Sequence, residues 1–149
     1  MANSESLFQQ TFVSLIRKLY PDFVMNLSLN GISLDGLSVT QRSKLIAQAK
    51  REGMENGVMD IAIYLPDGVV LNLESKRPKG GAQSPDQVVV QSKLAVLGHN
   101  YYLVRTPEQV FELIAKHTEL TYRQFAFKQL DQSIINQFGE STIKDYYHI

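Results

Sequence analysis

The residues of this chain best suited to chemistry are an aspartate, a glutamate and a lysine in two neighbouring apolar segments: Asp60, Glu74 and Lys76. Segments 58–65 and 69–76 are predicted to be the strands of a hairpin, because only Pro-Asp-Gly separates them. A three-residue loop pairs residue 65 with residue 69, and the same register sets Asp60 directly opposite Glu74. Their Cβ atoms would then be about 4.5–5.5 Å apart.

Two carboxylates at that distance repel each other unless one is protonated or a cation lies between them. A hard divalent cation suits such a pair, and Mg²⁺ takes few protein carboxylates while keeping its waters. Alternation puts Lys76 on the face of Glu74 and turns four apolar residues towards a core: Ile61, Ile63, Leu71 and Leu73. The alternative is an exposed hairpin face with ordinary charges, and a slip of one residue would separate the two acids.

The remaining segments must position this hairpin, and their patterns predict a mixed α/β domain. Apolar spacing and caps predict helices from Ser4 to Tyr20 and over residues 40–52, 85–97 and 107–116, the last opened by a Thr106–Gln109 capping box. A short strand is expected over 23–29 and another over 101–105. Residues 119–149 look mostly helical, and their apolar side chains must cover the chain's own core or a partner.

Composition excludes several classes of protein. The chain has 149 residues, 15 basic and 15 acidic side chains and no cysteine, so it has no thiolate site and no net charge to attract nucleic acid. No signal peptide and no membrane span are visible, and we expect a cytoplasmic protein, of a bacterium or a phage-infected cell. We expect one domain over residues 1–149, with a core of about 1–116 and a helical extension of about 117–149.

The order Asp…Glu-x-Lys on a hairpin resembles the PD-(D/E)XK nuclease superfamily, and residues 30–98 resemble a VRR-NUC domain of the stand-alone type. The matching pieces, in chain order, are Asn30-Gly31, Lys50 to Asp60, Glu74-Ser-Lys76, Ser84-Pro-Asp-Gln87 and Leu97-Gly98. The family has Gly-x-Pro-Asp where this chain has Gly57-Val-Met-Asp60, so the proline is missing and the acid is kept. The resemblance implies a restriction-endonuclease-like α/β/α core with a central mixed sheet flanked by helices.

The resemblance also implies a phosphodiesterase that acts on DNA with Mg²⁺ or Mn²⁺. Asp60, Glu74 and the Ser75 backbone carbonyl would hold the metal. Lys76 would orient water or stabilise charge on the phosphate, and Gln87 would help to position water or metal. An acid on the first helix, Glu5, is either favoured by the helix dipole or directed into the site as a further ligand.

Two groups of basic residues flank these motifs and are the expected DNA contacts: Arg42, Lys44, Lys50 and Arg51, and Arg77 and Lys79. The expected activity is a structure-specific endonuclease on branched DNA, similar to a Holliday-junction resolvase and acting as a homodimer. The alternatives are a flap or nicking nuclease, and a non-catalytic DNA-binding module that keeps the nuclease fold.

Overall fold

A four-stranded mixed sheet organises the chain in the computed structural model, which describes residues 4–28 and 36–149. Within these ranges the chain forms four strands and seven α-helices. In chain order they are α1 (Ser4–Leu19), β1 (Val24–Leu27), α2 (Val39–Arg51), β2 (Ile61–Tyr64), β3 (Val70–Ser75), α3 (Pro85–Val96), β4 (Tyr102–Val104), α4 (Pro107–Lys116), α5 (Leu120–Lys128), α6 (Gln132–Phe138) and α7 (Glu140–Tyr147). The predicted fold class, a central mixed sheet flanked by helices, is confirmed.

The strands lie in the order β1-β2-β3-β4, with antiparallel pairs β1–β2 and β2–β3 and a parallel pair β3–β4. Parallel neighbours need a crossover connection, and α3 supplies it. Since β3 and β4 run in the same direction, the residues that follow Glu74 and those that follow β4 meet at one edge of the sheet. At that edge the Lys76 N–H donates to the Val104 carbonyl at 3.0 Å.

The hairpin has the predicted register. Ile61 pairs with Leu73, and the Leu65 N–H donates to the Val69 carbonyl at 2.8 Å, so the loop has three residues. Asp67 and Gly68 turn the chain at φ of 61° and 74°, in the left-handed region that aspartate tolerates and glycine favours. The register that the loop fixes is the one that sets Asp60 against Glu74.

The hydrophobic core lies on the face of the hairpin away from the acids. All four predicted residues of that face are buried: Ile61, Ile63, Leu71 and Leu73. Phe12 and Ile16 of α1 are fully buried against them, as their helical spacing indicates. Three buried residues of α4 belong to the same cluster: Val110, Phe111 and Ile114.

The C-terminal tail packs on its own chain. Ile143 and Tyr147 of α7 are fully buried in the core cluster, and the Tyr147 hydroxyl donates to the Leu19 carbonyl at the end of α1. Seven further tail residues are partly buried against the cluster: Tyr122, Ala126, Phe127, Leu130, Ile134, Phe138 and Tyr146. Leu120 and Phe125 remain exposed. The buried and partly buried side chains of the tail therefore cover the chain's own core.

Several predicted boundaries were wrong. The strands are shorter than their apolar segments: residues 58–60 precede β2, and Lys76 follows β3. The helix predicted over 40–52 starts one residue earlier, because Ser38 forms a capping box with Gln41. At α4 the capping box is incomplete, since the Gln109 side chain accepts from the Arg105 N–H. The Asn30-Gly31 turn lies outside the described residues.

Candidate active site

The two predicted acids lie together at the start of β2 and the end of β3. Asp60 directly precedes β2, and its Oδ2 accepts a hydrogen bond from the Ser75 N–H at 2.8 Å. Ser75 is itself buried, and its hydroxyl donates to Oε1 of Gln9 on α1 at 3.3 Å. The hairpin backbone therefore holds the Asp60 carboxylate in place, and α1 covers it from one side.

Glu74 is almost completely buried, with 2% of its surface exposed, and three side chains donate to it. The Gln87 amide donates to Oε1, the Lys76 ammonium lies 3.3 Å from the same oxygen, and the Tyr101 hydroxyl donates to Oε2 at 3.3 Å. An exposed hairpin face, the alternative interpretation of these charges, is excluded by this burial. Sequestering a carboxylate so deeply costs free energy unless donors or a cation compensate it.

Gln87 reaches the site because of how α3 begins. Ser84 caps the helix, and the Gln87 Oε1 accepts from the Ser84 N–H at 2.8 Å, so the two residues form a capping box. The same Gln87 amide group then presents its NH₂ to Glu74. Gln91, one helical turn after Gln87, instead accepts a hydrogen bond from Gln83 at 2.9 Å.

Gly57 lets the segment before Asp60 lie against the start of α3. It has φ of 81°, and a Cβ built on it would lie 2.3 Å from the Asp86 carbonyl carbon and 2.6 Å from the Gln87 nitrogen. Both atoms belong to the backbone and cannot move aside as a flexible side chain can. A glycine at this position is therefore required for Asp60 and Gln87 to approach the same point.

Burial raises the pKa of both acids, and the charge of a neighbouring carboxylate adds to the rise in each. The pKa of Asp60 is raised mainly by loss of solvent, and the negative charge of Glu5 adds to this while the Ser75 N–H and Lys76 oppose it. The pKa of Glu74 is raised to about 7, first by burial and then by the charge of Asp60, against the stabilising effect of Lys76. One nearby ammonium does not balance the buried Glu74 and the partly buried Asp60, so the pair favours a proton or a further cation.

Glu5 lies beside this pair in the first turn of α1. Its Oε1 is 3.9 Å from Nε of Arg77, and its charge contributes to the raised pKa of Asp60. The structure thus brings Glu5 close to the acids while keeping it at the helix N-terminus, where a negative charge is also favoured by the helix dipole. Both predicted roles remain compatible with this position.

The predicted DNA contacts fall into two groups with different surroundings. Arg77 and Lys79 are exposed on the segment that directly follows Lys76. The four basic residues of the other group are exposed on α2, which contributes no buried residue: Arg42, Lys44, Lys50 and Arg51. In residues 4–28 and 36–149, no hydrogen bond or ion pair joins these four to the acids.

Sequence reasoning missed Tyr101 as a member of the site. Its buried hydroxyl binds Glu74, and burial, together with the neighbouring carboxylate, raises the pKa of the phenol. A signal was available, since a strand that follows a crossover helix is expected to lie parallel to β3 and beside it. The segment before that strand then ends close to the acids. Gln9 was also missed, although it is one helical turn after Glu5.

The donor set suits a small divalent cation that keeps most of its waters. In the described residues, no group of three or more His, Asp or Glu side chains is arranged to hold a metal. A buried glutamate and a partly buried aspartate in need of positive charge remain, and Mg²⁺ typically binds through one or two carboxylates. The residues present therefore fit a magnesium-type site and do not fit a zinc site, which needs three or four nitrogen, sulfur or carboxylate ligands.

Comparison with known proteins supports the fold. No family model matches the chain, and no curated protein matches it. Two solved structures resemble it. One is described as a "VRR_NUC domain protein" and has a TM-score of 0.57 and 17% identity, with 78% of this chain and 89% of that chain covered. The other, a "VRR_NUC domain", has a TM-score of 0.51, 20% identity and coverage of 78% and 100%. The chain therefore has the fold that its sequence motifs predicted.

Proposed function

We propose that this protein is a DNA endonuclease that depends on Mg²⁺ or Mn²⁺ and acts on branched DNA. The observation that carries the proposal is the convergence of Asp60, Glu74, Lys76 and Gln87 on one buried point of a VRR-NUC-like fold. Each of these residues has the chemistry that hydrolysis of a phosphodiester requires. Within the described residues, no helix is long and apolar enough to cross a membrane.

Asp60 and Glu74 would hold the cation, with the Ser75 carbonyl as a backbone ligand. When bound, the cation polarises the phosphate and lowers the pKa of a coordinated water. The raised pKa values of the two acids mean that a cation would compete with a proton for the pair. Glu5 would add negative charge nearby, as a further ligand or from its place at the N-terminus of α1.

The other residues of the site would act on the attacking water and the scissile phosphate. Lys76 donates towards Glu74 at 3.3 Å and has only 12% of its side chain exposed, so its charge is directed inward rather than shared with solvent. It would orient the water or stabilise the charge that develops on the phosphate. Gln87, fixed by the cap of α3, would orient Glu74 and a water through its NH₂ group.

DNA would reach the site along its exposed cations. Arg77 and Lys79, exposed on the segment that follows Lys76, would contact phosphates near the site, and the four exposed cations of α2 would contact others. A single site cuts one strand at a time, so paired cuts in a four-way junction need two copies related by two-fold symmetry. We therefore propose a homodimer, whose mass in light scattering would be about twice the 16.9 kDa of the chain.

A cleavage assay on linear, flap and four-way DNA tests the proposal, with Mg²⁺, Mn²⁺ or EDTA in parallel. We expect paired nicks in opposing strands of the junction with either cation and no product in EDTA. Full activity in EDTA would refute the metal assignment. Cleavage of flaps with the junction left intact would favour a flap or nicking nuclease, and DNA binding without cleavage would favour a non-catalytic module.

A further inference from the structure

Arg105, the residue after β4, holds the segment that follows Lys76 through three backbone carbonyls. Its Nη1 donates to the Arg77 carbonyl at 2.8 Å and to the Gly80 carbonyl, and its Nη2 donates to the Gly81 carbonyl at 2.9 Å. The backbone of Arg105 is fixed in turn, because its N–H donates to Oε1 of Gln109 at 2.7 Å. One side chain therefore joins β4 to most of the turn over residues 77–81.

This turn lies against the stem of Lys76. A Cβ built on Gly81 would lie 3.7 Å from Cδ of Lys76 and 3.6 Å from Oε1 of Glu5, so the Gly81 backbone is next to both side chains. Gly80 and Gly81 adopt φ of 76° and 74°, which glycine reaches without strain. Two consecutive glycines make the turn flexible in isolation, and its position depends on contacts such as those of Arg105.

From these contacts we infer that Arg105 is a positioning residue for Lys76. Its guanidinium fixes the turn, the turn confines the stem of Lys76, and the confined stem directs the ammonium to Glu74. The inference rests on the proposed function for the role of Lys76 in cleavage. The contacts of Arg105 with the turn, here called the clamp, are a property of the fold alone. Sequence reasoning assigned no role to Arg105.

The geometry favours this role over direct contact with DNA. Three of the five N–H donors of the guanidinium are occupied by carbonyls, whereas an arginine that binds phosphate presents its donors to the ligand. Lysine keeps the charge but has a single nitrogen, so it cannot span carbonyls that arginine reaches with two. Arg105→Lys therefore removes the clamp while it keeps the positive charge.

The first experiment needs no nuclease activity. Lysines are methylated reductively with formaldehyde, and the rate at each lysine is measured by peptide mass spectrometry in the wild type, Arg105→Lys and Arg105→Gln. Arg17→Lys, an exposed arginine on α1, is the matched control. We expect Lys76 to react at least three times faster in both Arg105 variants, while Lys93 and Lys128, exposed on other helices, react at the wild-type rate. An unchanged rate at Lys76 would overturn the clamp.

The second experiment measures cleavage in single turnover at saturating DNA, together with the Kd for DNA. We expect both Arg105 variants to lose at least tenfold in rate with less than a threefold change in Kd, and Arg17→Lys to behave as wild type. In a Lys76→Ala background, Arg105→Lys should lower the cleavage rate by less than a further twofold. The effects of two residues that act through each other are not additive. Full additivity would overturn the inference.

Two other outcomes are equally decisive. Tenfold weaker DNA binding in Arg105→Gln, with Arg105→Lys near wild type, would make Arg105 a phosphate contact and reject the positioning role. If the wild type does not cleave DNA at all, the proposed function fails, and the methylation rates alone decide whether Arg105 confines Lys76.

Discussion

The acid pair, Asp60 and Glu74, and the cations of helix α2 lie in opposite surroundings. Asp60 and Glu74 are fixed by backbone and side-chain donors, and Glu74 is buried. On α2, by contrast, all four cations are exposed and no residue is buried. Even its apolar Leu45 and Ile46, which share one face as their spacing indicates, are exposed at 46% and 37%. Chemistry at one atom requires a rigid, desolvated site, whereas contact with a charged backbone requires only accessible charge.

Because of this difference, mutations in the two regions should change different quantities. Changes at the acid pair should alter the rate at saturating DNA, because the pair would act only on the reacting phosphate. Changes on α2 should alter affinity and its salt dependence, because its four cations are exposed and, in the described residues, make no hydrogen bond or ion pair with the acids.

Removing one negative charge from the pair should have the largest effect. Asp60→Asn and Glu74→Gln keep the shape of the side chain, and we expect each to lower the single-turnover rate about 10³-fold or more. Asp67→Asn is the control, because Asp67 is exposed in the hairpin turn and asparagine also tolerates its φ of 61°. Activity within tenfold of wild type in either site variant would mean that the pair does not hold the catalytic cation.

Lys76→Ala should cost about 10²-fold in rate with little loss of DNA affinity. The reason is its position, since Lys76 is the cation in contact with Glu74 while several exposed cations remain to bind DNA. The measurement is the single-turnover rate against DNA concentration, which separates rate from Kd. A variant that binds poorly yet cuts at the normal rate when saturated would make Lys76 a binding residue.

Gly57→Ala tests the approach of the Asp60 segment to α3. We expect it to lower the free energy of unfolding by about 2 kcal/mol more than Gly98→Ala, measured by urea titration. The two glycines are matched, with φ of 81° and 83°, but a Cβ at Gly98 would meet no atom within 4 Å. Equal destabilisation of the two variants would show that backbone strain, and not the contact with α3, explains the glycine.

Replacing the four cations of α2 by alanine should have the smallest effect on rate. We expect about tenfold weaker DNA binding, a flatter dependence of log Kd on log salt, and an unchanged rate at saturation. The double variant Lys93→Ala, Lys128→Ala removes exposed cations from α3 and α5 and serves as the control. If the two sets weaken binding equally, α2 is not a specific part of the DNA surface.

The sequence predicted the hairpin register and its acids because they depend on local rules. The Pro-Asp-Gly loop fixes the pairing, and alternation then decides which side chains share a face. The roles of Tyr101 and Arg105 depend on the parallel placement of β4, which brings together residues far apart in the chain. Pattern reasoning could not assign these contacts, because no local rule specifies which carbonyl or carboxylate a distant side chain will meet.

The pH dependence of stability shows whether the acid pair, Asp60 and Glu74, is a site for a divalent cation. Glu74 has a pKa of about 7 in the folded chain against its ordinary 4.5. Between these values the unfolded chain loses its proton while the folded chain keeps it, so stability falls as pH rises and becomes level above pH 7. The shift corresponds to about 3 kcal/mol.

The measurement is the free energy of unfolding from pH 4 to 8, with and without Mn²⁺, for the wild type and Glu74→Gln. Without a cation, we expect the wild type to lose about 3 kcal/mol more than Glu74→Gln as pH rises. At pH 8, Mn²⁺ should stabilise the wild type and leave Glu74→Gln unchanged, since a ligand stabilises only the folded state that binds it. Identical pH profiles, or equal stabilisation of both proteins by Mn²⁺, would contradict the assignment of Asp60 and Glu74 as a cation site.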